Sequence, residues 1–228
     1  IYKGSWIFSA RRTYFDRLVT AWNNYQGNAT PFNYYFRDTH FKVQTSPFKY
    51  HKFVYSQFNG KDDLFVDLEA DDFPSIGFDW EWVNSTKSLI WKFFPNSNYL
   101  IETQISETNY NFDVEFEVDF SSIQEDVNEY CEDNPPVDDD TTSIFIADLT
   151  YYLTNRVKDV SLNQNINIFI NDKFDMEIGW ESKNLIMRYQ EEFTGYATSD
   201  RLDDPIINSI YVKNLWKPIN NLSFDFGM

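Results

Sequence analysis

The chain has 228 residues, of which 42% are hydrophobic and 19% aromatic, so it carries enough bulky apolar material for an ordered fold, and extensive disorder is excluded. Its formal net charge is -17, from 36 acidic and 19 basic residues, and such a field repels phosphate, which argues against nucleic acid or an anionic membrane as a partner. A single cysteine, Cys131, excludes an internal disulfide and is interpreted as a bystander.

The first predicted element is a helix over residues 9–25. Tyr14, Leu18 and Trp22 recur at helical spacing, Ser9 is suited to the N-cap, and Gly27 follows the end. Short segments rich in aromatic and β-branched residues come next, separated by turn signals such as Asn59-Gly60-Lys61. They are predicted as strands over residues 40–45, 50–58, 64–70, 78–83, 89–94, 99–106 and 111–120.

The second half is predicted to repeat this order. A short helix over 122–130 is followed by an acidic, proline-containing linker over 131–142 and by a second helix over 142–158. Strands return at 165–170, 174–180, 185–193 and 207–216. The predicted fold class is therefore α+β and β-rich, an antiparallel meander with barrel-like or sandwich sheets. One helix precedes each of two modules, 1–130 and 143–228.

A local match suggests that these modules are duplicates. Residues 78–93 read FDWEWVNSTKSLIWKF and residues 174–189 read FDMEIGWESKNLIMRY, with Phe, Asp, Glu, Lys, Leu and Ile at corresponding places. Chance similarity between two hairpins is the other explanation. A four-residue loop in each copy would pair Asp79 with Lys92, and Asp175 with Arg188, on the solvent side.

The stretch NFDVEFEVDF, residues 111–120, predicts a row of four carboxylates on one strand face: Asp113, Glu115, Glu117 and Asp119. The predicted partner strand over 99–106 offers no cation to them. We therefore expect either a solvated face or a contact with a basic partner on another chain.

Other candidate chemistry is weaker. Asp138, Asp139 and Asp140 could supply oxygens to calcium, but the EF-hand spacing is absent. His40 and His51 stand in no zinc or triad pattern, and paired acids such as Glu115 and Glu117 arise on any polar strand face. We expect no enzyme and no cofactor.

These observations favour a non-enzymatic structural protein, a subunit of a larger assembly such as a virus or phage particle, with other protein subunits as partners. An acidic inhibitor or immunity-type protein that masks a basic surface is the alternative, and a carbohydrate-binding module or glycosidase is a weaker one. No apolar run approaches the roughly 20 residues of a membrane helix, so we expect a soluble chain without direct nucleic-acid contact and without membrane insertion.

Overall fold

The computed structural model describes residues 3–27, 32–70, 73–121, 124, 148–194, 196–219 and 221–228. This part of the chain forms ten β-strands and one α-helix. The strands are β1 Lys3–Arg12, β2 Phe32–Ser46, β3 His51–Ala70, β4 Phe73–Asn96, β5 Tyr99–Asp119, β6 Leu149–Asn171, β7 Phe174–Phe193, β8 Tyr196–Asp203, β9 Ile206–Ile219 and β10 Leu222–Gly227. The helix, α1, is Phe15–Gln26.

All ten strands belong to one antiparallel sheet that is not closed. Strands β1 to β7 pair in chain order, and β9 and β10 follow β7. Both β8 and β9 pair with β7 in the same register, so they lie end to end as one strand interrupted at Asp204 and Pro205. The proline has no N–H to give to the ladder, but its carbonyl accepts a hydrogen bond from the Leu185 N–H at 3.1 Å.

The two ends of the sheet differ in their connections. At one end, which we call the turn end, short turns join β2 to β3, β4 to β5, β6 to β7 and β9 to β10. Asn96 and Asn171 accept hydrogen bonds at 2.9 Å from the backbone N–H two residues later, which fixes two of these turns. At the other end, the loop end, the connections include α1 and the segment between β5 and β6.

The strands are much longer than the sequence predicts. In four cases two predicted strands are halves of one long strand, which gives β3, β4, β5 and β7. In β6 a predicted helix and a predicted strand are joined in the same way. Each of these five strands has 20 to 24 residues. The predicted turn at Asn59-Gly60-Lys61 lies inside β3, and the two predicted hairpins lie inside β4 and β7. Asp79 therefore pairs with Phe65 and Glu115, not with Lys92, so the hairpin prediction is wrong.

The helix predictions are corrected as well. Gly27 ends α1 in the left-handed region as expected, but the helix begins at Phe15, because Ser9 belongs to β1. The second predicted helix is wrong where the structure describes it, since residues 149–158 are part of β6. Its β-branched and aromatic residues pair with β5 and β7 instead. The predicted linker over 131–142 and Cys131 lie outside the described residues, as does almost all of the helix over 122–130.

The antiparallel, β-rich character is confirmed, whereas the duplication of two modules is not shown. β5 and β6, which flank the predicted linker, pair along their length from Tyr99 with Ile168 to Val118 with Leu149. No helix in the described part of the chain is long and apolar enough to cross a membrane.

The sheet is a single layer. The solvent-accessible surface of the chain is 16422 Å², whereas a globular protein of 27.2 kDa exposes about 11,000 Å². Val54 is the buried apolar side chain of the described residues, and Thr154 and Ser161 are the buried polar ones. Because an ordinary domain covers its apolar surface with a second layer, this sheet leaves large apolar surfaces for something else to cover.

Candidate functional site

The paired register assigns each side chain to one of two faces. Face 1 carries Asp113, its direct cross-strand partners, and every second residue along each strand from these positions. Face 2 carries the residues between them, such as Phe112. Residues that are direct cross-strand partners form rows that run across the sheet from strand to strand. Each face changes its character between the turn end and the loop end.

Near the turn end, face 1 is apolar. One row is His51, Phe93, Ile101, Ile166, Ile178 and Val212. The next two rows are Gly4, Thr45, Phe53, Trp91, Thr103, Gln164, Trp180 and Ile210, then Trp6, Val43, Tyr55, Leu89, Ile105, Leu162, Ser182 and Asn208. None of the residues in these rows is Lys, Arg, Asp or Glu.

We call this surface the apolar band, and on β6 it runs from Val160 to Ile170. That span is about 33 Å along the strand, or about 25 Å in height if the strand is tilted by about 40°. Several of its apolar side chains are exposed: Ile105 is 54% exposed and Ile210 is 77% exposed. Aromatic rings gather at its turn-end border, where His51 stacks on Phe93 with 4.6 Å between ring centroids.

At the same height, face 2 is polar and tied together by side-chain contacts. Lys92 Nζ lies 2.5 Å from a Glu102 carboxylate oxygen, and Lys183 Nζ lies 3.5 Å from Glu181. Ser56 and Ser88 form a hydroxyl hydrogen bond of 2.8 Å. One half of the sheet therefore has an apolar face backed directly by a polar face.

Gly179 and Tyr211 form the closest packing on this polar face. The Tyr211 ring lies over Gly179, so a Cβ at this glycine would come within 2.2 Å of the ring. The Tyr211 hydroxyl donates to Asn165 at 3.0 Å or to Glu177 at 2.8 Å. The missing side chain at Gly179 thus makes room for a tyrosine that links three neighbouring strands.

Toward the loop end the two faces exchange roles. Face 2 becomes apolar and aromatic, with Trp80 against Phe112 at 6.2 Å between ring centroids and Trp82 against Tyr110 at 5.7 Å. Face 1 becomes charged. The exchange occurs inside continuous strands: on β4, Trp80 and Trp82 lie on face 2, but Leu89, Trp91 and Phe93 lie on face 1.

The predicted acidic row lies in this charged part of face 1. Asp113 accepts a hydrogen bond of 2.7 Å from the hydroxyl of the buried Thr154. Asp119 accepts one of 2.7 Å from the Ser121 N–H, which holds the pKa of that carboxyl below its usual range. Glu115 and Glu117 lie between them on the same face. The predicted partner strand is wrong, because residues 99–106 and 111–119 are parts of the same strand, β5.

The actual neighbours bring more acids to this surface. Asp79 is directly opposite Glu115, and Glu81 is directly opposite Asp113. Partial burial, followed by the charges of Asp63 and Glu81, raises the pKa of the Asp79 carboxyl. Lys61 lies among them and forms an ion pair with Glu81 and, at 3.0 Å, with Asp63. The binding of a basic partner to the acidic row stays a prediction.

The two histidines lie on opposite faces. His40 is on face 2 of β2, and His51 accepts a hydrogen bond of 3.0 Å from the Trp91 indole N–H on face 1. Among the described residues no group of His, Cys, Asp or Glu is arranged to hold a metal ion. The carboxylates of Asp138, Asp139 and Asp140 are outside this part of the chain.

Comparison with known proteins gives likeness in structure only. No protein-family model matches the sequence. No curated protein matches it either. The ferric-catecholate import receptor Fiu from E. coli K12 in its closed form is 7% identical, with a TM-score of 0.55 over 99% of this chain and 40% of that chain. Its open form is 8% identical, with a TM-score of 0.50 over 86% of this chain and 36% of that chain.

A further similar structure is the ferric yersiniabactin uptake receptor FyuA from Yersinia pestis, which is 7% identical, with a TM-score of 0.47 over 82% of this chain. The chain spans 27% to 40% of the length of these three structures. At such identities the likeness is one of fold. It concerns the course and pairing of the strands and carries no role with it.

This likeness overturns the function predicted from sequence. The prediction of a virus or phage particle subunit is wrong, because the similar fold is that of an import receptor, Fiu, and not of a particle subunit. The two alternatives, an acidic inhibitor and a carbohydrate-binding module or glycosidase, are not supported either, since neither accounts for a broad apolar band on a single-layer sheet. The expectation of no membrane insertion also conflicts with the fold.

The sequence does contain the signal that was missed. In the long strands most apolar residues occupy every second position, and this alternation shifts by one residue near the middle, as between Trp82 and Leu89. Two short strands joined by a turn produce the same pattern. The two arrangements differ in the length of the uninterrupted strand, which is 20 to 24 residues in β3 to β7.

Proposed function

We propose that this chain forms part of the wall of an outer-membrane-type β-barrel that lets a small molecule cross the membrane. One observation carries the proposal: near the turn end, face 1 carries an apolar band whose three central rows contain no Lys, Arg, Asp or Glu, and a polar face 2 backs it at the same height. A membrane strand needs about 9 to 11 residues at a tilt of about 45°, and the band on β6 runs from Val160 to Ile170. The fold likeness to Fiu supports the same reading.

The two faces have different tasks in this proposal. The apolar band contacts lipid hydrocarbon, whereas the Ser, Asn and paired charges of face 2 contact water. Because an unpaired strand edge and a polar face are both costly in hydrocarbon, the sheet must close around water, either by curling or by pairing its edges β1 and β10 with other strands. No catalytic residue is needed, so the proposal keeps the prediction that the chain is not an enzyme.

Lipid contact is testable through tryptophan fluorescence. The chain is refolded into vesicles whose lipids carry bromine on the acyl chains, which quench the emission of tryptophans in contact with them. We expect Trp91→Phe combined with Trp180→Phe to remove a large part of the quenchable emission, because both indoles lie in the apolar band.

The matched control is Trp80→Phe combined with Trp82→Phe, which removes two indoles from face 2 at the loop end and should leave the quenchable emission unchanged. Release of a small sugar trapped in the same vesicles reports the water-filled path. Equal quenching losses in the two variants, or no quenching at all, would rule out the proposed lipid contact. Quenching without sugar release would rule out the transport role.

A further inference from the structure

One row on face 1 is unusually basic. The cross-strand partners Arg12, Arg37, Lys61, Val83, Asn111, Arg156, Arg188 and Leu202 form a single row from β1 to β8. Five of these residues are cations in a chain whose net charge is -17. We call Arg12, Arg37, Lys61, Arg156 and Arg188 the basic belt.

Cations in the basic belt lie directly opposite one another. Arg12 is paired with Arg37, Arg37 with Lys61, and Arg156 with Arg188. Like charges at directly opposed positions destabilise a sheet by roughly the amount that opposite charges stabilise it. The arrangement is therefore costly unless anions lie beside it.

The described residues supply only some of these anions. Arg12 pairs with Asp16, Lys61 with Asp63 and Glu81, and Arg188 with Asp200 at 3.4 Å. Arg37 and Arg156 are both exposed. Within the described part of the chain, no carboxylate lies within ion-pair distance of either one.

The basic belt lies just beyond the apolar band. On β6, Arg156 is four residues from Val160, which is about 13 Å along the strand and about 10 Å in height at a tilt of about 40°. The headgroup layer of a bilayer extends about 5 to 8 Å beyond the hydrocarbon on each side. Arginine side chains are long enough to cover the difference by bending toward the interface.

The layer of positive charge is also thin. The next row toward the loop end contains Asp63, Glu81 and Asp113 as direct partners. A bulky polyanion would meet these carboxylates, but an anion confined to one plane would not. Phosphate groups at the surface of a bilayer lie in such a plane, and guanidinium groups bind them through two parallel hydrogen bonds.

We propose that the basic belt binds the phosphate groups of anionic lipid headgroups and so fixes the height of the sheet in the membrane. This rests on the proposed membrane location. Among the cations of the belt, Arg37 and Arg156 have no ion-pair partner in the described part of the chain and are the residues proposed to bind phosphate, while Arg12, Lys61 and Arg188 add positive charge to the same plane.

The test compares partitioning of the full chain into phosphatidylglycerol and phosphatidylcholine vesicles at about 0.1 M salt. We expect a preference for the anionic vesicles that falls about thirtyfold in the variant Arg37→Gln with Arg156→Gln, since each cation near an anionic surface contributes a factor of roughly five. Arg37→Lys with Arg156→Lys should retain most of the preference, because the charge is kept.

The matched control is Lys42→Gln with Lys52→Gln, which removes the same charge from face 2. It should leave the preference unchanged. If acyl-chain quenching reports insertion, two results would overturn headgroup binding by the basic belt. One is a wild type without a preference for anionic vesicles, and the other is a preference that falls equally in both glutamine variants. Absence of quenching in either vesicle type would instead overturn the membrane location and the lipid contact together.

Discussion

At the scale of single residues, glycines in this sheet matter where another side chain uses the space. Gly179 lies under the Tyr211 ring. At Gly77 an added Cβ would have Glu117 Cβ as its nearest contact, at 3.7 Å. Both glycines are in long strands, so the backbone cost of glycine is similar. They differ in whether a neighbour occupies the place of the missing side chain.

We therefore expect Gly179→Ala to lower the free energy of unfolding by roughly 1 to 3 kcal/mol, as overpacking does, because Tyr211 must move and give up its hydrogen bonds to Asn165 or Glu177. Gly77→Ala is the control and should change it by no more than about 0.5 kcal/mol. Urea unfolding in detergent micelles measures both. Equal effects would show that Tyr211 does not depend on the glycine.

Asp79 gives a pH-dependent prediction. Its pKa is raised in the folded chain by partial burial and by Asp63 and Glu81, so the folded state holds the proton more tightly than the unfolded state does. The free energy of unfolding should then fall as the pH rises from below the ordinary Asp pKa through the raised pKa.

Asp79→Asn removes this dependence. We expect the variant to be more stable than the wild type at a pH of about 7 and equally stable at a pH of about 3, where the wild-type carboxyl is protonated in both states. Urea titrations at the two pH values measure the difference. An Asn variant that is less stable at neutral pH would show that the charge of Asp79 is favourable.

At the scale of elements, the sequence predicts strand residues well and strand limits poorly. Phe78, Trp80 and Trp82 alternate as a strand requires, and so do Leu89, Trp91 and Phe93. The polar residues between them, 84 to 88, favour a turn in any local reading. Only the neighbours β3 and β5, which pair with β4 through this region, decide that the chain continues straight.

This continuity predicts the effect of an insertion. One glycine added after Ser85 would move Leu89, Trp91 and Phe93 from face 1 to face 2, because side chains alternate with a period of two. We expect the variant to lose most of its protease resistance and its quenching in brominated vesicles.

The control is one glycine added after Ser97, in the turn between β4 and β5. An insertion there does not change which side chains of either strand lie on face 1. It should retain both signals. If the insertion after Ser85 were tolerated equally well, the strand would be free to shift its register, and the exchange of faces would not be fixed by pairing.

At the scale of the whole molecule, the composition describes an acidic protein, but the charges are sorted by height. The apolar band has no charged residues in its central rows, and Glu107, paired with Lys87 and Lys158, lies at its edge. The basic belt follows, and the acids Asp63, Glu81 and Asp113 come next. The net charge of -17 is an average over these layers and therefore does not reveal where the cations lie on the sheet. The acidic row itself could be predicted, because alternation along one strand is local, whereas the layers depend on pairing between strands distant in sequence.

The exchange of faces within each strand also has a consequence for finding related chains. The hydropathy of β4 behaves as a wave with a period of two residues whose phase jumps by half a period near the middle of the strand. A search that assumes constant phase along a strand will cancel the two halves against each other and report a weak signal. A search that allows one phase jump per strand, at corresponding positions in neighbouring strands, would recover such sheets from sequences that share no other detectable similarity.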